Sequence, residues 1–459
     1  MTDRRAAHES TIVCSGCGAE ATGIYPFRCP RATGSDDVDH VLTRVLNPEW
    51  TRFPADSDRN PFVRYRGLLH SYHVARAHGM PEDAYVSLVR TLDEAIARVD
   101  GHGFSETPFE RDAALSRHLG FGERGGVWVK DETGNVSGSH KGRHLAGIMI
   151  YLQVLERVGL VAPPLPPLAI ASCGNAALAA AVVARAADRD LHVFIPPDAP
   201  PSVVGRLREL GACLTMCERT AGSSGDPCYH AFRHAVAGGA LPFCCQGSEN
   251  GLTIEGGETL GYEMVSALAG MPLDRIVIQV GGGALASSLI QAFTEARTLG
   301  IASSVPRFHA VQTRGAFPLK RAYDKVLDWM QAHGAGAGAA GRHAVTHRSQ
   351  FMWPWEEEPR SLAHGILDDE TYDWFAVVNG MLESGGTPLV VTDDELTSAC
   401  DLANATRGAG RRAPADCPSR LPVDHTGAAG LAGLQQVALQ GTVEPGERVA
   451  VIFSGASRA

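Results

Sequence analysis

The chain has 459 residues, 44% hydrophobic and 20% charged, an ordinary globular composition with length enough for two or three domains. Lys and Arg total 41 against 51 Asp and Glu, and the resulting charge of −10 excludes the basic footprint of a nucleic-acid binder or of a protein held on an anionic membrane. No apolar run approaches the roughly 20 residues of a spanning helix, and the first ten residues lack the apolar core of a secretion signal, so a cytoplasmic protein is expected.

Residues 1–110 lack a strand–helix rhythm and read as an N-terminal extension laid against the body. They hold Cys14-Ser-Gly-Cys17 and Cys29, a cysteine knuckle without its second Cys-x-x-Cys half. A closed tetrahedral metal site needs four ligands. His40 completes the number but fits no common spacing, so a metal-free turn is the expectation. The eleven cysteines point to reduced thiols and not to a disulfide framework.

Beyond the extension, Val129-Lys-Asp-Glu-Thr-Gly-Asn-Val-Ser-Gly-Ser139-His140-Lys141 passes from a strand through a Gly/Ser turn into a helix that opens at lysine. A cation at a helix N-terminus opposes the macrodipole, and that field favours the neutral amine that attacks carbonyl carbon. Alone, Lys141 reads first as a surface lysine on an exposed first turn. That helix ends near Gly159. After Pro163-Pro-Leu-Pro-Pro167, a stiff connector, Leu168–Ala171 reads as a buried strand, and Ser172-Cys173-Gly174-Asn175 turns it into an Ala-rich helix running to Ala187. Free N–H groups at such a start bind a carboxylate or phosphate, or the turn is a plain cap.

Further strands are expected at Leu191–Ile195, Ala212–Met216, Arg275–Val280, Arg307–Gln312 and Arg448–Phe453, alternating with helices, which implies two α/β units with parallel sheets. Gly281-Gly282-Gly283-Ala284 follows the strand 275–280. Without Cβ atoms it suits a single phosphate, but it is not a dinucleotide fingerprint; a tight βα turn is the other reading. The run Gly334–Gly341 is expected to be a surface loop, with an active-site lid as the lesser option. Ser454-Gly455 closes the last strand.

In this order the four motifs resemble fold type II pyridoxal-phosphate enzymes, the tryptophan synthase β-subunit-like superfamily, over residues 110–459. The cysteine knuckle, Thr253-Ile-Glu-Gly-Gly-Glu-Thr-Leu-Gly-Tyr-Glu263 and His425-Thr426-Gly-Ala-Ala-Gly resemble its threonine synthase-like branch. The resemblance implies pyridoxal 5′-phosphate as cofactor and Lys141 as its Schiff-base lysine. It implies a substrate-carboxylate site at Ser139, Ser172, Cys173, Gly174 and Thr426, and Asn175 on the cofactor's phenolic oxygen. By the same resemblance Gly281, Gly282, Gly283 and Ala284 are expected to hold the phosphate, and Ser454 to face the pyridine nitrogen. His140 stands where phenylalanine is usual in that branch and is similar to the tryptophan synthase β histidine that reaches the phosphate. Cys173 replaces Ser or Thr, Ala284 replaces a fourth glycine, and His425-Thr426 replaces a Pro-Ser pair.

The expected architecture is a large cofactor-binding unit (111–150 and 251–459) and a small mobile one (151–250), assembled as a homodimer. The expected activity is α-proton abstraction and β-elimination, or β-replacement, on a polar or O-phosphorylated amino acid. A serine/threonine dehydratase is the alternative, and a catalytically silent cofactor-binding regulator the further one. No nucleic acid or membrane partner is expected.

Overall fold

The computed structural model describes residues 9–219, 225–408 and 421–456. In chain order, β1 (Ser10–Cys14) and β2 (Leu42–Leu46) precede the helix His70–Ala77 and α1 (Glu82–Asp100), then β3 (Phe109–Asp112), β4 (Gly126–Asp131) and α2 (Lys141–Arg157). Next come β5 (Leu168–Ala171), α3 (Asn175–Ala186), β6 (Leu191–Ile195), β7 (Cys213–Met216), β8 (Leu241–Pro242) and α4 (Thr253–Leu268). The last elements include β9 (Arg275–Gln279), α5 (Ala284–Thr298), β10 (Arg307–Thr313), α6 (Ala337–Thr346), β11 (Leu389–Val391), α7 (His425–Leu439) and β12 (Arg448–Phe453).

Among the described residues these strands form three sheets. β1 and β2 make an antiparallel ribbon, β7-β6-β5-β8 a parallel sheet, and β11-β10-β9-β12-β4-β3 a larger one, parallel except for the edge strand β3. The inner strands are near-continuous apolar runs such as Val449-Ala-Val-Ile-Phe453, buried along their length, as a sheet covered by helices on both faces requires. β3 reads Phe-Glu-Arg-Asp and pairs on one side only; Glu110 is exposed, while Arg111 donates to the Gly125 carbonyl at 2.9 Å and Asp112 caps the next helix.

α2 is almost wholly buried and runs unbroken through positions 150 and 151. It shares one apolar core with the ribbon, α1, α3 and the sheet β5–β8. A second core fills the space between the large sheet, α4 and α5. No helix among the described residues is long and apolar enough to cross a membrane.

The Gly/Ala run departs from expectation. Gly334 ends the helix Pro318–His333 in a left-handed conformation, and α6 begins at Ala337. Alanine is the best helix former, and Ala340, Gly341 and Ala344 are buried, with Gly341 set against the Phe375 ring. Residues 334–336 are a surface connection as expected, but 337–341 form the start of α6 and pack as a helix.

Candidate active site

Three of the four motifs leave the carboxyl ends of parallel strands, where open α/β sheets bind ligands: Ser172–Asn175 after β5, Gly281–Ala284 after β9, Ser454 after β12. The fourth, Lys141, opens α2 and is half-buried. The chain reaches it by a turn in which Ser137 (φ 57°) and Gly138 (φ 65°) are both left-handed. Asp100 at the end of α1 accepts from the Ser137 N–H at 2.7 Å, and the Ala456 N–H donates to the Gly138 carbonyl at 3.0 Å. A non-glycine residue in this region costs on the order of 1 kcal/mol and persists only where its surroundings fix it.

Ser139 pairs with Gly455 in an isolated antiparallel bridge. The His140 N–H (3.1 Å) and ring Nδ1 (3.0 Å) both meet the Ser454 carbonyl. A carbonyl only accepts, so Nδ1 carries the proton and Nε2 is left as an acceptor without a partner. Burial, reinforced by the Lys141 charge and then by His144, holds His140 well below the usual histidine range. His144, one turn on, is held down to about 3 by burial and then by Lys141; its Nδ1 bonds the Thr253 carbonyl at 2.8 Å.

Ser454 is buried, and the Gln279 amide nitrogen donates to its Oγ. The same nitrogen donates to the Ile452 carbonyl at 3.0 Å, which settles which end of the amide is which. With its oxygen accepting from Gln279, the Ser454 hydroxyl keeps its own proton to donate. The Asn175 amide nitrogen lies against Gly455. Ser139, His140, Lys141, Asn175 and Ser454 therefore come together.

The glycine loop lies nearby. Gly283 caps α5 at φ 100°, with no side chain capping the helix's free N–H groups. A Cβ on Gly282 would stand 2.8 Å from the Tyr372 ring. The covering segment is acidic: the Asp368 carboxylate rests on Gly281 and Gly282 and faces the Gly282 N–H. Burial pushes Asp368 up to about 6 against the pull of the Lys141 charge, and burial pushes Asp373 up to about 7. Lys141 thus lies within electrostatic reach of the cover on this loop. The Gly282 N–H thus meets a carboxylate oxygen, which shows that the loop's amide can serve an oxyanion.

The start of α3 is likewise uncapped by any side chain; Gly174, not Ser172 or Asn175, is its N-cap. The Gly174 N–H donates to Ser172 Oγ at 3.3 Å, and Cys173 is half-buried beside it. Ala284 opens α5 and is buried. Thr426 stands further out, its Oγ1 accepting from the Gly365 N–H at 3.0 Å; Ile366, next in that turn, lies against Gly281. Gln279, His144, Asp368 and Asp373 carry no motif of their own in the sequence. They enter through the fold.

The site fits a phosphate-bearing aldehyde. Ser139 Oγ, His140 Nε2 and His144 Nε2 are buried without partners, an amine lies among them, an anion nest stands to one side and a strand-end hydroxyl donor to the other. Fold and site together define an enzyme acting through such a cofactor. A family model described as pyridoxal-phosphate dependent enzyme matches residues 102–455. The chain belongs to that family, and pyridoxal phosphate is its cofactor. Threonine synthase from Methanosarcina acetivorans is 25% identical over 355 residues, 76% of this chain and 74% of that protein. Threonine synthase from Methanocaldococcus jannaschii is 22% identical over 352 residues, with the same coverage of each. Among solved structures, processed threonine deaminase isoform 2 from Solanum lycopersicum aligns with a TM-score of 0.55 at 18% identity, over 82% of this chain and 91% of its own. At that identity the likeness is one of fold.

Proposed function

We propose that the chain is a lyase or β-replacement enzyme acting on a polar or O-phosphorylated amino acid, with Lys141 as the cofactor lysine and proton carrier. The observation that carries the reading is the convergence of Lys141 at the start of α2 with Ser454 at the end of β12 and with the covered glycine nest. When bound, pyridoxal phosphate takes up the amino group of an amino acid and draws the Cα–H bonding electrons toward its ring. In this reading Gly281, Gly282, Gly283 and Ala284 would hold the phosphate with backbone N–H groups, and Asn175 would supply an amide donor to the cofactor. Lys141 Nζ moves the α-proton.

Ser454 sets the direction of the reaction. Its hydroxyl donates, and so matches a ring nitrogen that accepts, unprotonated. A carboxylate in its place would favour a charged ring, a stronger electron sink that suits transamination. A hydroxyl at this position would not hold a proton on that nitrogen, which suits loss of a β-substituent over transamination. Ser139, Ser172, Cys173, Gly174 and Thr426 are proposed for the substrate carboxylate, completed as the unit built on β5–β8 closes and excludes water. The proposal includes a homodimer in the cytoplasm, with light scattering on the purified protein as the check on assembly.

The test is turnover by purified, cofactor-loaded protein of a panel of amino acids and their O-phospho esters, reading ammonia, keto acid and inorganic phosphate. Phosphate release from one ester supports the main reading. Ammonia from serine or threonine alone assigns the dehydratase reaction instead. No product from any member overturns both.

A further inference from the structure

Away from that site, the cysteine knuckle acquires a fourth ligand. β1 and β2 pair in antiparallel register with Cys14 opposite Leu42. The chain entering β2 therefore passes beside Cys14, and the Ser15 N–H and Oγ both bond the Val41 carbonyl at 2.9 Å. His40, one residue earlier, puts Nδ1 at 3.4 Å from Cys14 Sγ. From the other side, the turn Cys14–Gly18, closed by the Gly18 N–H on the Cys14 carbonyl (2.9 Å) with Gly18 at φ 69°, swings Cys17 round. Cys17 Sγ stands 3.5 Å from Cys29 Sγ. The ligand atoms of Cys14, Cys17, Cys29 and His40 all lie within 4.8 Å of one another.

We propose that Cys14, Cys17, Cys29 and His40 form a tetrahedral zinc site. Zn–S bonds of about 2.3 Å place tetrahedral ligands roughly 3.7 Å apart, so the two shortest pairs already have the required separation and the rest close by small movements. The Cys17–Cys29 distance is that of two thiols and far from a disulfide bond. Three sulfurs and one nitrogen in a closed, largely buried set are the donors of a structural zinc site; calcium and magnesium take oxygen. The surroundings match as well. Asp36 lies 3.3 Å from His40 Nε2, the carboxylate partner that fixes the ring with Nδ1 free to bind metal. The Arg31 N–H points at Cys29 Sγ at 3.4 Å, a contact that stabilises a thiolate. The thiols give up their protons to solvent as the ion binds.

Such an ion would close the loop 14–40 over functional ground. The Ile24 carbonyl accepts from Tyr151 of α2 at 2.8 Å, and the Phe27 carbonyl accepts from the Gly251 N–H at 2.9 Å, just before α4. Zinc would hold this loop against the helix that presents Lys141, as a structural and not a catalytic ion.

The test uses the full chain, loaded with pyridoxal phosphate and purified under reducing conditions. Elemental analysis should give one zinc per chain, after incubation with zinc chloride and desalting if needed. X-ray absorption at the zinc edge should show three sulfurs and one nitrogen. Cys14→Ser combined with Cys29→Ser should lose the zinc and melt at lower temperature, while His40→Cys should keep zinc with a four-sulfur shell. Wild-type protein that retains no zinc, an all-nitrogen-and-oxygen shell, or full zinc retention in the double variant would each overturn the proposal. The absorption measurement needs no variant, so a misfolded mutant leaves the test standing.

Discussion

Lys141 and Ser454 are tied through one residue, since His140 hangs from the Ser454 carbonyl by both its backbone and its ring. Their side chains can still be tested apart. Lys141→Ala places the best helix former at the first position of α2, so stability should change by less than about 1 kcal/mol. Turnover should fall by at least ~10²–10⁴, the contribution of a positioned proton carrier, and calorimetry alongside product formation checks both halves. Retained activity in Lys141→Ala would remove it from the mechanism. Ser454→Ala removes one neutral donor worth about 0.5–1.5 kcal/mol, while the Gln279 nitrogen keeps the Ile452 carbonyl. Ser454→Asp should do more: a buried carboxylate would keep a proton on the ring nitrogen, slow elimination, and bring out transamination by-products that keto-acid analysis detects. Alike, near-wild-type Ala and Asp variants would mean that Ser454 does not face the ring.

At the scale of elements, the glycine loop and α5 make a fixed anion site whose cover is as important as its floor. Two substitutions at Gly282 separate space from charge. Gly282→Ala meets the Tyr372 ring and measures steric cost alone. Gly282→Asp adds a charge where backbone N–H groups should meet a phosphate. Charge-assisted hydrogen bonds contribute about 1.5–3 kcal/mol each, so cofactor affinity should be at least ~10-fold weaker in the Asp variant than in the Ala variant by fluorescence titration. Equal affinities would place the phosphate elsewhere. Much of this layer is legible in the sequence. β5, β6 and β12 coincide with apolar runs, and α2 and α3 begin at Lys141 and Asn175, because parallel strands buried on both faces leave unmixed signals. β3, β8 and β11 are not legible, being a polar edge strand and stretches of two and three residues. Motif order points to Lys141, Asn175, Ser454 and the glycines, and the family resemblance adds His140. Asp368, Asp373 and Gln279 are out of its reach, since only the fold sets 366–373 over residue 282. His40 is legible by count as a fourth ligand but not by spacing, because its place beside Cys14 depends on ribbon register.

Across the whole molecule, the N-terminal ribbon docks through buried charge, and this gives stability a definite pH dependence. Arg44 of β2 is buried among Glu255 and Glu258 of α4 and Glu295 of α5, and the His70 N–H donates to Glu255. Burial pushes Glu255 from 4.5 up to about 7, against the pull of Arg44 and that N–H. Its folded value lies above its unfolded one, so its contribution to stability is fully present below about 4.5 and is lost as pH rises through about 7. The neighbouring His70 ring acts in the opposite sense. Burial holds it down to about 3, so its contribution is present above about 6.5 and lost as pH falls through about 3. Between about pH 4.5 and 6.5 these two slopes oppose each other. Glu255→Gln keeps an acceptor for the His70 N–H and removes the carboxyl's slope, and Arg44 retains Glu258 and Glu295. The variant should match wild type near pH 5 and exceed it at pH 8 by about 1–3 kcal/mol, because each tenfold change in proton affinity on folding is worth about 1.4 kcal/mol. The gap between variant and wild type should therefore widen from pH 5 through 6.5 to 8. Chemical denaturation at pH 5, 6.5 and 8 measures all three differences. A constant offset across the series would show that Glu255 stays ionised in the folded chain, held by Arg44 strongly enough to overcome its burial.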